Sequence, residues 1–287
     1  MKVFYISTIY KDIKIANRFL KHFTKEFPKK TSELFLYCHD LETYKESSKF
    51  LCDNINIIKG NDDVFYTEAL NIGIKLILNK EEKGNICFLD SDCFVSQDFH
   101  NICLNNKNKG LIFRNRDFKT NDLLPAGFLF KNKIIGSSIN IEDKIDKYKN
   151  NYFKIDYSNG RGLTFPVSFP IKYGLLNHVD FPLYASDNDY SWKISNKIGL
   201  YYCVKAEVLS DKFETSLNPM VIKMGLKERI KALFSIRSNI NILIRSKLCR
   251  NLCTNNFYKP IWILRGTIIC LLVAFLPYKL KNRLSKF

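Results

Sequence analysis

Asn85-Ile86-Cys87-Phe88-Leu89-Asp90-Ser91-Asp92 is the stretch on which the reading of this chain turns. Residues 85–89 form a short apolar run behind the turn signal Gly84, the pattern of a buried strand. Two aspartates one residue apart follow it, which places carboxylates at the strand's C-terminal edge. Open α/β sheets keep their ligand crevice at that edge. Paired aspartates there suit a hard divalent cation, and such a cation can grip a diphosphate. A solvated acidic turn has the same local sequence. The flanking segments separate the two.

Upstream, strand and helix signals alternate. Residues 3–8 are β-rich, and residues 13–27 carry Ile15, Phe19, Phe23 and Phe27 at steps of four, the stripe of an amphipathic helix. Residues 34–38 and 55–58 read as strands, and residues 66–78 as a helix with Ala69, Leu70, Gly73, Ile74 and Ile77 on one side. This alternation predicts a mostly parallel α/β sheet flanked by helices. Neither a G-x-G-x-x-G nor a P-loop lysine follows the first strand, so phosphate must be held by metal or side chains. Further on, residues 111–114 and 126–130 read as strands and residues 157–162 as a mobile loop. Residues 189–197 read as a helix, and residues 200–204, beyond the turn at Gly199, as a strand.

A second acidic cluster, Ser186-Asp187-Asn188-Asp189, opens that helix. Acids at a helix start are routine, because Ser186 or Asp187 can cap it and the dipole favours negative charge. The chemical alternative is a carboxylate aimed into the crevice as a general base. Trp192, one turn from Asp189, either stacks on a ligand or packs in the core.

The chain resembles the inverting family-2 glycosyltransferases of the GT-A fold, especially bacterial rhamnosyl- and galactofuranosyl-transferase-like members. The resemblance covers roughly residues 1 to 212. It rests on Gly60-Asn61 with Glu68-Ala69-Leu70-Asn71-Ile72-Gly73, on Asp90-Ser91-Asp92, and on Ser186 to Lys193 followed by Gly199. It implies Asp187 as catalytic base, with Asp189 and Trp192 toward the acceptor. Ser7, Thr8, Asp40, Asn71 and Asp90 would hold the nucleotide sugar, and Asp90 and Asp92 a Mn2+ or Mg2+ ion. The expected partners are a UDP- or dTDP-linked donor and a lipid-linked saccharide acceptor for a surface polysaccharide. The departures are Ser186 for an acid, Lys193 for an arginine, and Cys38-His39-Asp40 at the second strand's end. Where the family often has a metal-binding histidine after Gly199, the nearest equivalents are Ser210 and Asp211, so Asp211 becomes a candidate ligand. A degenerate, non-catalytic scaffold and a nucleotidyltransferase are the rival classes.

The net charge of +17 is unevenly placed: residues 221–287 hold fourteen Lys and Arg against Glu228 alone, leaving 31 basic and 27 acidic residues in the first 220. This divides the chain into a GT-A-like catalytic domain, 1–220, and a basic, apolar C-terminal region, 221–287. The charge-free run 266–278 has thirteen residues, short of the roughly 20 needed to cross a bilayer core. It is expected to lie in an anionic interface at the cytoplasmic face of the inner membrane, peripheral or monotopic. A tilted span and a helix covering the catalytic domain are the alternatives. The bases are interleaved with apolar residues and no nucleic-acid motif is present, so nucleic acid is not expected as a partner. Nine cysteines, an odd number without a signal peptide, are expected as reduced thiols. Cys249 and Cys253 lack the companions of a metal site, and His39, His100 and His178 are dispersed.

Overall fold

A computed structural model describes residues 1–80, 83–95, 97–143, 151–210 and 224–276. Its first part alternates as expected: β1 (Val3–Ile9), α1 (Ile13–Glu26), β2 (Ser32–Cys38), α2 (Leu41–Ser47), β3 (Ile55–Lys59), α3 (Tyr66–Lys80) and β4 (Asn85–Phe88). α1 starts where Asp12 accepts a hydrogen bond from the Ile15 amide at 2.9 Å, and it buries Ala16, Phe19, Leu20 and Phe23. α2 starts on Asp40 in the same way. There follow β5 (Cys93–Val95), α4 (Gln97–Leu104), β6 (Gly110–Asp117), β7 (Leu123–Leu124), β8 (Gly127–Asn132) and β9 (Ser137–Asn140). β10 (Tyr152–Ile155), β11 (Tyr157–Ser158), β12 (Thr164–Pro166), α5 (Ser168–Tyr173), α6 (Ser186–Ile198) and β13 (Leu200–Ser210) come next. α7 (Leu226–Ala232), α8 (Ile242–Leu252) and α9 (Lys259–Phe275) close the described chain.

The main sheet runs β10-β13-β6-β12-β4-β1-β2-β3. β1, β2, β3 and β4 are parallel, and β6 is parallel to β13. β12 lies antiparallel to both β4 and β6. All the long strands therefore point one way, and the antiparallel members are short. The C-terminal ends of β1, β2, β4, β6 and β13 share one edge. One face of the sheet packs on α1, α2 and α4 through Phe19, Phe23, Phe99 and Phe113. The other packs on α3, α5 and α6 through Ile74, Phe165, Phe169 and Tyr190. β11, β8 and β9 form a small second sheet.

Helices α8 and α9 pack against the sheet-bearing part of the chain. Phe181, Ile244, Leu248, Leu252 and Trp262 share one apolar cluster with Phe130 and Trp192. Trp262 donates its indole N–H to the Lys133 carbonyl at 2.9 Å, and Arg265 donates to the Gly136 carbonyl at 3.0 Å. Gly136 has φ 66, and a Cβ there would come within 2.4 Å of the Trp262 ring, so this contact admits only glycine. Among the described residues no helix is long and apolar enough to cross a membrane. All nine cysteines are free thiols.

Candidate active site

The sheet edge opens on a cleft of ≈ 420 Å³ lined by Thr8, Tyr10, Lys11, His39, Tyr66, Asp90, Asp92, Arg161, Tyr184 and Arg237, among others. That volume suits a small organic ligand. β4 delivers the two aspartates into it, because the Leu89 amide still bonds the Ile6 carbonyl at 3.0 Å and the chain turns only afterwards.

The segment read as a mobile loop is stapled to β4. Phe88 donates to the Leu163 carbonyl at 3.0 Å, and Gly162 donates to the Phe88 carbonyl at 2.9 Å. Those bonds aim Arg161 at the aspartates. Its Nε donates to Asp90 Oδ2 at 3.1 Å, its Nη2 stands 3.8 Å from Asp92 Oδ2, and its Nη1 donates to Ser210 Oγ at 3.2 Å. Tyr66 donates its hydroxyl to the other oxygen of Asp90 at 3.1 Å. The chain alone does not reveal Arg161 or Tyr66, because a lone arginine in a Gly-Asn loop and a tyrosine at a helix start carry no spacing signal. His39, treated as a loop residue in the sequence, lines the cleft with Tyr10, their rings 5.9 Å apart.

Asp187 approaches Tyr66 and Asp90 from α6. The helix does not use it as a cap: Ala185 holds the N-cap position at φ 70, with no side-chain bond. Asp187 instead accepts from the Asn188 amide at 2.9 Å. A Cβ built on Gly160 would stand 3.6 Å from Asp187 Oδ2 and 3.5 Å from Tyr66 Oη, so the Gly160 backbone threads between them. Burial pushes the Asp187 carboxyl up to about 6, with Asp90 adding to the effect and the Asn188 and Gly160 amides opposing it. Burial and then Asp90 push Asp92 up to about 6 as well, against the pull of Arg161.

Most of the other residues expected at the site lie outside the lining of this cleft. Asp189 accepts from Asn251 at 2.9 Å and, with Trp192, faces a groove between α6 and α8. Helical geometry is the reason: residues two apart sit about 200° apart around the axis, so Asp187 and Asp189 face opposite ways while Trp192 follows Asp189. Trp192 packs edge-on against Phe130. Asn71 is buried and binds the Leu176 backbone through both amide atoms, at 2.9 and 3.0 Å. Asp40 accepts from the Thr43 and Lys11 amides, each at 2.9 Å, fixing the loop beside the cleft rather than facing into it. Ser7 is buried beneath the cleft, whereas Thr8 reaches it. Asp211 lies outside the described residues.

Asp90, Asp92 and Cys93 present ligand atoms within 4.8 Å of one another. Burial, with Asp92 and Asp90 adding to it, raises the Cys93 thiol well above its ordinary range, and the thiol donates to Asp92 Oδ1 at 3.5 Å. It therefore stays protonated and is a poor ligand for a hard cation. The two carboxylates fit Mn2+ or Mg2+, ions that take one or two protein carboxylates and complete their shell with phosphate oxygens and water.

The chain is similar in fold to S. aureus TarS. It aligns with a TarS crystal structure at a TM-score of 0.51 and 14% identity, over 99% of this chain and 52% of that one. It thus spans about half the length of that protein. Against TarS residues 1–349 in complex with UDP-GlcNAc the TM-score is 0.51 at 13% identity, over 99% and 86% of the two chains. The UDP complex of the same TarS fragment gives 0.51 at 14% identity, with the same coverage. No protein-family model matches the sequence, and no curated protein matches it either. What the chain shares with TarS is the fold, a mixed α/β, GT-A-like arrangement of a mainly parallel sheet flanked by helices.

Proposed function

We propose that this protein is an inverting glycosyltransferase that moves a hexosyl or deoxyhexosyl group from a UDP- or dTDP-linked donor to a lipid-linked saccharide. The observation that carries this reading is that Asp187, at the start of α6, stands close enough to Asp90 for the two charges to interact, beside the cleft that Asp90 and Asp92 line. The TarS likeness, which includes a UDP-GlcNAc complex of that protein, supports a nucleotide-sugar donor. The acceptor hydroxyl attacks the anomeric carbon, Asp187 takes its proton, and the bond to the diphosphate breaks on the opposite face. A carboxyl poised near 6 is ionised at neutral pH and still basic enough for that task. Asp90 and Asp92 would hold Mn2+ or Mg2+, which when bound neutralises charge on the departing diphosphate. Arg161 and Tyr66 orient the two carboxylates. The basic, outwardly apolar C-terminal region suits attachment to the anionic cytoplasmic leaflet of the inner membrane, where lipid-linked acceptors for surface polysaccharide reside.

The test is release of nucleoside diphosphate from UDP- and dTDP-sugars with membrane extract as acceptor, with and without EDTA. Transfer should need the divalent ion, and Asp92→Asn should weaken that dependence along with the rate. Wild-type turnover in EDTA, or in Asp92→Asn, would remove the metal from the proposal. No turnover with any donor would favour the non-catalytic scaffold.

A further inference from the structure

Beyond the residues of the sheet, the cleft has a cation contributed by the C-terminal region. Its other two lining cations are already paired: Lys11 Nζ stands 3.0 Å from Asp62, and Arg161 holds Asp90 and Asp92. Arg237 lies in the connection between α7 and α8, and its guanidinium makes no hydrogen bond or ion pair among the described residues. Its side chain is exposed, but its backbone is fixed. The Arg237 amide donates to Ser235 Oγ at 3.2 Å, and Ser238, fully buried, donates its amide to the Ser235 carbonyl at 3.1 Å. The Ile242 amide closes the turn on the Leu233 carbonyl at 3.0 Å.

The charge balance says what this cation is for. The lining acids Asp12, Asp62, Asp90 and Asp92 outnumber Lys11, Arg161 and Arg237, and buried Asp187 stands close by. An anion entering such a cleft needs a positive group not already spent on a carboxylate. An arginine fork meets a phosphate through two parallel hydrogen bonds. We infer that Arg237 grips the phosphates of the nucleotide donor, so that the C-terminal region completes the donor site as well as flanking it. This rests on the donor proposed above.

The experiment measures binding of UDP and dTDP, each beside its plain nucleoside, to the full-length protein, Arg237→Ala and Arg237→Lys. Loss of a charge-assisted contact should weaken the diphosphate by about ten- to a hundred-fold in the alanine variant and less in the lysine variant. Nucleoside affinity and melting temperature should not move, because the side chain is exposed and unpaired. Diphosphate binding by the wild type that survives unchanged in Arg237→Ala would overturn the inference and leave the transferase reading standing. An equal loss of nucleoside and diphosphate would also overturn it, by showing general damage. Failure of the wild type to bind either diphosphate would instead remove the donor reading, and Arg237's role with it.

Discussion

Asp187 is held in a state that costs the fold stability. Burial moves its pKa from an ordinary 3.8 to about 6, so the folded protein binds this proton more tightly than the unfolded chain. Stability from this group is therefore undiminished below 3.8 and falls as pH rises through about 6. Asp187→Asn keeps the shape and removes the charge. It should raise stability at pH 7.5 by at most about 3 kcal/mol, from roughly 1.36 kcal/mol per pK unit. In urea melts the gap to wild type should close as pH is lowered to 4. The same substitution should cut transfer about 10²- to 10⁴-fold. The wild-type rate should climb with pH through about 6 and then level off. A variant that is active, or no more stable than wild type, would show that Asp187 is not a buried base. Asp90, Asp92 and Asp187 were legible in the sequence because acids clustered at element ends are visible in one dimension. Asp189, expected toward the acceptor, lines the groove between α6 and α8, because the helical turn sets it apart from Asp187. Arg161 was not legible, since nothing local says that residue 161 will lie beside residue 90.

At the scale of elements, β1 to β4, α1, α3 and α6 were readable, whereas α2, α4, α5 and most short strands were not. β5, β7, β10 and β12 are 3, 2, 4 and 3 residues long, too short for a period to register, and they exist because neighbouring strands offer free edges. β13 was expected to stop near Val204 but runs to Ser210, because its register shifts between Cys203 and Glu207 and the pairing with β6 then resumes. The β11–β12 connection read as mobile from its Asn and Gly content, yet those residues make a tight turn that long-range bonds to β4 lock in place. Gly162 is its pivot: φ is 84, and a Cβ would come within 2.9 Å of Val208 Cγ2. Gly162→Ala should cost about 1–3 kcal/mol of stability, the usual range for backbone strain of this kind, and should swing Arg161 off the aspartates. The informative readout is transfer activity under conditions where the variant is still fully folded. Full activity there would mean that Arg161 need not be held to act.

For the molecule as a whole, the C-terminal region is both a packed layer and an exposed surface, and α9 carries one role on each side. Trp262, Gly266, Cys270, Val273 and Ala274 face the protein. Leu264, Ile268, Leu272 and Phe275, at helical steps of four, four and three, are 62%, 45%, 39% and 55% exposed. Charge density along the sequence led to the expectation of a membrane-facing surface, and the inward stripe was hidden because an apolar helix looks the same whether lipid or protein covers it. The two roles make different predictions. Trp262→Ala should destabilise the fold by about 3–5 kcal/mol, the range for truncating a large buried aromatic, and it also loses the bond to Lys133. Removing everything after Gly225 would bare Phe130, Phe181 and Trp192, so truncation would confound attachment with folding. A surface variant avoids this: Leu264, Ile268 and Leu272 changed together to Gln. It should melt like wild type yet lose most of its co-sedimentation with anionic vesicles, since it gives up the apolar part of the contact and keeps the basic part. Each Lys or Arg near such a surface contributes roughly 1 kcal/mol, a share that salt screens. High salt should therefore loosen the wild type only partly and release the triple variant completely. If the variant sediments as well as wild type in high salt, the outer stripe of α9 is not the membrane contact.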